Sequence, residues 1–110
     1  MIINKPWGYF EDIIRERTYV MKRIVVRPGQ RLSLQKHEHR SEFWVIMEGT
    51  GTIELGTVET PIKAGSTVNI QKKEIHRVSN TGTGHMTIYE TQYGICDEED
   101  IVRISDDYGR

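Results

Sequence analysis

The chain has 110 residues, with 15 Lys plus Arg against 16 Asp plus Glu, a formal net charge of −1 and a single cysteine, Cys96. That balance excludes the basic field of a nucleic-acid binder and any acidic tail, the length sets one domain over residues 1–110, and a lone cysteine excludes an intrachain disulfide. No apolar run approaches the ~20 residues of a membrane helix and the start, Met1-Ile2-Ile3-Asn4-Lys5-Pro6-Trp7-Gly8, is not that of a signal peptide, so no membrane partner and a cytoplasmic setting are expected.

Short β-type segments alternate with Gly and Pro from end to end. Thr18 to Arg27 reads as a strand ended by Pro28-Gly29. Arg31 to His37 reads as the next, with Leu32 and Leu34 on one face and Ser33, Gln35 and His37 on the other. Residues 38–41 can then make a hairpin turn into a strand from Glu42 to Glu48, stopped by Gly49. Thr52 to Leu55 and Val58 to Ile62 flank Gly56-Thr57, which suits a tight hairpin with glycine at a positive φ. Thr67 to Ile70, Ile75 to Ser79 and Met86 to Tyr93 follow, with a loop at 81–84. Asp97 to Val102 carries a short helix signal, with Asp97 as N-cap and acids in the first turn. About eight short strands without repeat or linker predict an all-β barrel or double-sheet jelly roll, with a short C-terminal helical or irregular tail.

Gln35 and His37 share a strand face, Glu42 opens the following strand, and His76 lies on a later one. One amide oxygen, two imidazoles and one carboxylate form a mixed N/O set for a single divalent ion. Zinc is the first expectation, with manganese, cobalt, nickel and iron(II) also suited, and the thiolates of a structural zinc site are missing. His39 is the rival ligand: a turn at Arg40-Ser41 would send His37 and His39 inward together and leave Gln35 behind them. His85 stands alone and receives no role.

These residues resemble the cupin superfamily. Its first motif, Gly-x5-His-x-His-x3-4-Glu-x6-Gly, is matched in its second half by Glu42-Phe43-Trp44-Val45-Ile46-Met47-Glu48-Gly49. Its second, Gly-x5-Pro-x-Gly-x2-His-x3-Asn, is matched at Gly65, His76 and Asn80, with Gln71 and Lys73 in place of the Pro and Gly. Counting back from Glu42 puts Gln35 and His37 on the two motif histidines, and the core motifs cover residues 29–49 and 65–80. A resemblance over nearly the whole chain is to the cupin module of type II mannose-6-phosphate isomerases. It rests on Lys5-Pro6-Trp7-Gly8-Tyr9, Met21-Lys22-Arg23-Ile24, residues 28–35, His39-Arg40-Ser41-Glu42-Phe43-Trp44 and residues 100–110. That module often follows a mannose-1-phosphate guanylyltransferase domain, for which 110 residues leave no room, so a free-standing module is expected.

The resemblance implies a cupin double-stranded β-helix, and a metal-dependent enzyme that interconverts mannose 6-phosphate and fructose 6-phosphate. A Gln-x-His pair, a Glu and a later His also resemble the zinc ligands of type I isomerases, which supports Gln35, His37, Glu42 and His76. His39, Glu48 or metal-bound water could shuttle the proton, and the sequence does not choose between them. Arg40 is the first expectation for a phosphate or enediolate oxygen, with Arg31, Arg103 and Arg110 as further anion contacts and Trp44 as a pocket wall. A homodimer through Met1-Ile2-Ile3 and the strand at 18–27 would cover open sheet edges. The competing readings are a non-catalytic cupin binding a sugar phosphate or sugar nucleotide, and another metal-dependent cupin enzyme such as an oxygenase.

Overall fold

A computed structural model of the protein describes residues 1–109 and shows an all-β fold. Eleven strands occur among the described residues: β1 Ile2–Lys5, β2 Gly8–Arg15, β3 Tyr19–Val26, β4 Leu34–Lys36, β5 Arg40–Glu48, β6 Thr50–Leu55, β7 Val58–Lys63, β8 Thr67–Ile70, β9 His76–Asn80, β10 Met86–Gly94 and β11 Val102–Ser105. They form a six-stranded sheet in the order β1-β2-β3-β10-β5-β8 and a five-stranded sheet in the order β11-β4-β9-β6-β7, with every pairing antiparallel. The two sheets make the double-stranded β-helix expected of a cupin.

The β6–β7 hairpin turns where the sequence puts it, with Gly56 at φ 61°. Gly51 on β6 has a different reason to be glycine: a Cβ there would sit 2.0 Å from the Ser79 carbonyl oxygen and 2.4 Å from Met86 Cε.

Three expectations are corrected. The segments carrying His37 and Glu42 are not hairpin partners. β4 pairs with β9 and β11, whereas β5 pairs with β10 and β8, so residues 37–39 cross from one sheet to the other. The expected strand at Arg31 to His37 shortens to β4 plus an isolated bridge between Arg31 and Ser79. Asp97 to Val102 is not a helix. The Asp97 carboxylate accepts the Glu99 N–H at 2.9 Å, an Asx turn that uses the same acid-first signal, and the chain then enters β11. The strands β1 and β2 were not legible, because a bulge between Asp12 and Ile14 breaks the alternation of β2.

The apolar core lies between the sheets, on Trp7, Val26, Ile46, Ile53, Val78, Met86 and Ile88. At one end of the same interior the inward positions turn polar. Lys22, Ser33, Gln35, His37, Arg40, Glu42, His76, Glu90 and Gln92 are all buried.

Candidate functional site

The polar end is a cavity whose floor is set by cross-strand register. Gln92 of β10 stands opposite Glu42 of β5, Glu90 stands between Lys22 of β3 and Trp44 of β5, and Gln35 of β4 faces His76 of β9. Directly opposed residues share a face, so these rows point into the space between the sheets.

His37, Glu42 and His76 each offer one ligand atom within 4.8 Å of the others. His37 Nε2 lies 3.2 Å from Glu42 Oε2, and His76 Nε2 lies 3.9 Å from Glu42 Oε1. The tautomers follow from the other ring nitrogens. His37 Nδ1 is 2.6 Å from the Asp100 carbonyl oxygen and His76 Nδ1 is 3.0 Å from that of Glu74. A carbonyl only accepts, so both Nδ1 atoms donate and both Nε2 lone pairs face Glu42. Arg40, which only donates, reaches His37 Nε2 at 3.3 Å and agrees with that assignment. Burial and the Arg40 charge push His37 down to about 4, and burial lowers His76, so both rings are neutral near pH 7. A carboxylate oxygen and an imidazole lone pair therefore face each other with no proton of their own between them. This is the arrangement a divalent cation fits, and the neutral rings are already in ligand form.

The surroundings hold these groups in place. Trp44 Nε1 donates to Glu42 Oε1 at 3.0 Å, and the Trp44 ring meets His76 edge-on with centroids 6.0 Å apart. Arg40 Nε donates to Glu42 Oε2 at 2.9 Å. The Asp100 carboxylate accepts the backbone N–H groups of Glu38 and His39, at 3.0 and 2.9 Å, while its carbonyl takes the His37 proton. A residue from the tail thus clamps the crossover that carries His37.

Gln35 lines the cavity beside His37, Glu42 and His76, and its Nε2 donates to the Ser33 carbonyl at 3.4 Å. His39 is exposed and is not among the lining residues, which favours the alternation that pairs Gln35 with His37. Glu48 is exposed at the far end of β5, where its Oε1 accepts from Thr87 Oγ1. Six residues of strand put it ~20 Å from Glu42, so neither His39 nor Glu48 reaches the cavity as the expected proton shuttle. Arg40 is not in a loop. It opens β5, is buried and is committed to Glu42 and His37. Arg31 is held by Asp107 at 2.6 and 2.9 Å and is not in the lining. Trp44 and Arg103 do line the cavity. Arg110 lies outside the described residues.

Sequence reasoning missed Glu90, Gln92, Lys22 and Glu98, which also line the cavity. Gln92 Nε2 donates to Glu90 Oε1 at 3.1 Å. Burial, the Glu42 charge and a hydrogen bond to Glu42 push the Glu90 carboxyl up to about 8. Lys22 Nζ sits 4.2 Å above the Phe10 ring and pairs with Glu98. The available signal was a polar residue at an inward position of an otherwise apolar strand: Lys22 among Val20, Ile24 and Val26, and Glu90 after Met86 and Ile88.

Comparison with known proteins finds a matching family and several relatives. The family described as Mannose-6-phosphate isomerase C-terminal matches residues 1–106. The xanthan biosynthesis protein XanB of Xanthomonas campestris pv. campestris is 36% identical over 109 residues, covering 98% of this chain and 23% of that protein. The alginate biosynthesis protein AlgA of Pseudomonas aeruginosa is 34% identical, and a mannose-1-phosphate guanylyltransferase of Escherichia coli K12 is 35% identical, each with 98% of this chain and 23% of the relative covered. The chain thus spans about a quarter of the length of these relatives. Among solved structures, the capsular polysaccharide assembling protein CapF of Staphylococcus aureus superposes with a TM-score of 0.85 at 16% identity, over 96% of this chain and 34% of that one. KdgF from Halomonas does so with a TM-score of 0.79 at 10% identity, over 90% and 89%. These two likenesses concern the fold alone. Among the described residues no helix is long and apolar enough to cross a membrane.

Proposed function

As this chain belongs to the mannose-6-phosphate isomerase C-terminal family, we propose that it interconverts mannose 6-phosphate and fructose 6-phosphate using one divalent ion, zinc first, held by His37, Glu42, His76 and Gln35. The observation that carries this reading is the convergence of two imidazole Nε2 lone pairs and one carboxylate in a cavity that also holds a second buried carboxyl, Glu90.

The reaction removes a proton from C2 of the open-chain aldose, returns one to C1, and moves the C2 hydroxyl proton to O1. When bound, the ion supplies Lewis-acid polarisation of the carbonyl and a template for the sugar oxygens. Proton transfer between neighbouring carbons is served well by a positioned carboxyl or imidazole that is not itself a ligand. What supports Glu90 in this role is its place beside Glu42, its orientation by Gln92, and the absence of His39 and Glu48 from the cavity lining. Arg40 and Trp44 hold both Glu42 oxygens in position. Trp7, Phe10 and Ile101 give the cavity apolar wall.

The test is isomerisation of mannose 6-phosphate by metal-stripped protein reloaded with zinc, manganese, cobalt, nickel or iron(II). Activity should return with at least one ion and vanish with chelator. Glu90→Gln should keep the ion and lose roughly a hundredfold or more in kcat. Ion-loaded protein that isomerises nothing with any of these metals would overturn the reading.

A further inference from the structure

Three buried side-chain atoms have no hydrogen-bond partner among the described residues: Arg23 Nε, Ser33 Oγ and Gln92 Oε1. The Arg23 guanidinium is still answered by Glu11 at 2.8 Å. The other two atoms belong to side chains that are each 1% exposed, and both residues line the cavity of the His37–Glu42–His76 cluster. A buried polar atom without a partner costs free energy, and folded chains hold few of them. Two in one cavity are therefore a feature to be explained.

The two atoms come from opposite walls. Ser33 belongs to the five-stranded side, two residues ahead of Gln35 on β4. Gln92 belongs to the six-stranded side, on β10, as the register partner of Glu42 on β5. One stands by Gln35 and the other by Glu42, so the pair flanks the polar cluster.

Their chemistry restricts what can satisfy them. Gln92 Nε2 is committed to Glu90 Oε1 at 3.1 Å, which leaves Oε1, an atom that only accepts. Its partner must bring an O–H or N–H. The neighbouring donors are spent elsewhere: Arg40 on Glu42 and the Asp97 carbonyl, Trp44 on Glu42, and the two imidazole Nδ1 atoms on carbonyls. A fully ionised phosphate or carboxylate only accepts and leaves Gln92 Oε1 unanswered. A hydroxyl group answers both residues, because it donates to Gln92 Oε1 and takes either role with the Ser33 hydroxyl.

We propose that Ser33 and Gln92 determine specificity by hydrogen-bonding hydroxyl groups on the uncharged carbon chain of the ligand, one from each wall of the cavity. Which sugar carries those hydroxyls rests on the isomerase reading, but the hydroxyl recognition does not. A site built to hydrogen-bond a hydroxyl rejects the analogue that lacks it, because its own buried atoms are then left unpaired. The test is isothermal titration of ion-loaded wild type, Ser33→Ala and Gln92→Met with mannose 6-phosphate and with the analogues that each lack one hydroxyl. Wild type should bind at least one analogue roughly ten- to a hundredfold more weakly than the parent sugar. Each variant should bind the parent about tenfold more weakly and lose its discrimination against one analogue, since removing both partners of a bond costs no more than removing either. Ligand-free Ser33→Ala should unfold at the same urea concentration as wild type or a higher one, because the change deletes an unanswered buried atom. Each variant should hold one ion. Discrimination that is the same in all three proteins, or a wild type that binds no hydroxylated probe, overturns the proposal. So does a lower unfolding midpoint in Ser33→Ala, which would give its hydroxyl an internal partner, or loss of the ion from Gln92→Met, which would make Oε1 a metal ligand. Hydroxyl discrimination that follows Ser33 and Gln92 without any isomerisation would sink the isomerase reading and leave this pair standing. Isomerisation with a discrimination that neither change touches would do the reverse.

Discussion

Along β10 the inward positions run Met86, Ile88, Glu90, Gln92, and along β5 they run Arg40, Glu42, Trp44, Ile46. β3 runs Val20, Lys22, Ile24, Val26, and β9 runs His76, Val78, Asn80. The same strands therefore build an apolar half and a polar half of one interior. Alternation decides which side chains point in, and composition decides what they do there. Apolar burial supplies stability at about 25 cal/mol per Å². Polar burial costs free energy unless the groups are partnered, and here Trp44, Arg40, Gln92 and the tail residue Asp100 supply partners for Glu42, Glu90 and His37, while Ser33 Oγ and Gln92 Oε1 find none among the described residues. Changes in the two halves should have separable consequences.

The largest effect belongs to the ligands. His37→Ala and His76→Ala should each lose the bound ion and roughly a thousandfold or more of isomerase activity, read by elemental analysis and kcat/KM. Full ion occupancy in both would erase the distinction between the halves. Ile88, fully buried between Ile24 and Ile46, gives the opposite pattern. Ile88→Ala should cost ~2–5 kcal/mol in urea unfolding and leave one ion per chain.

Asp100 sharpens the boundary, because it acts on a ligand from outside the cluster. Asp100→Ala removes the clamp on residues 38 and 39 and should weaken metal affinity about 10–100-fold without abolishing it. A competition titration against a chromogenic chelator checks this, and an unchanged affinity would show that the tail is not coupled to the site.

The smallest effect is a pH signature of the metal-free protein. Glu90 has a folded pKa raised from 4.5 to about 8, so the folded state binds more protons than the unfolded state and stability falls as pH rises through that window. His37 is lowered from 6.5 to about 4, so its contribution is complete above 6.5 and is lost as pH falls. Between pH 6.5 and 8 the Glu90 slope stands without that of His37, and stability should drop by about 2 kcal/mol. Glu90→Gln should flatten the drop, as read from urea midpoints in the presence of chelator. An unaltered slope would show that Glu90 is not the group titrating.

Much of this was legible in the sequence. Strand positions for β3 and from β5 to β10 followed from alternation and glycine punctuation, whereas the strand expected at 31–37 shortened to β4, and His37, Glu42 and His76 stood out as metal-type residues at inward positions. The sheet partner of each strand was not legible, because the turn at 37–39 has no Gly or Pro to show whether the chain folds back or crosses over. The fate of the arginines was hidden for a related reason: Arg31 meets Asp107 across 76 residues, and sequence spacing does not report such pairs. Glu90 and Lys22 were overlooked because a strand rich in apolar residues reads as core, although a lone charge at its inward position marks where the core stops.

The most direct measurement is a titration of metal-stripped protein with zinc, or with cobalt as a coloured probe, followed by the isomerase assay on the same samples. Saturation at one ion per chain is expected, with activity rising in step with occupancy, and neither in His76→Ala. No binding by wild type, or activity that persists in stripped protein under chelator, would contradict it.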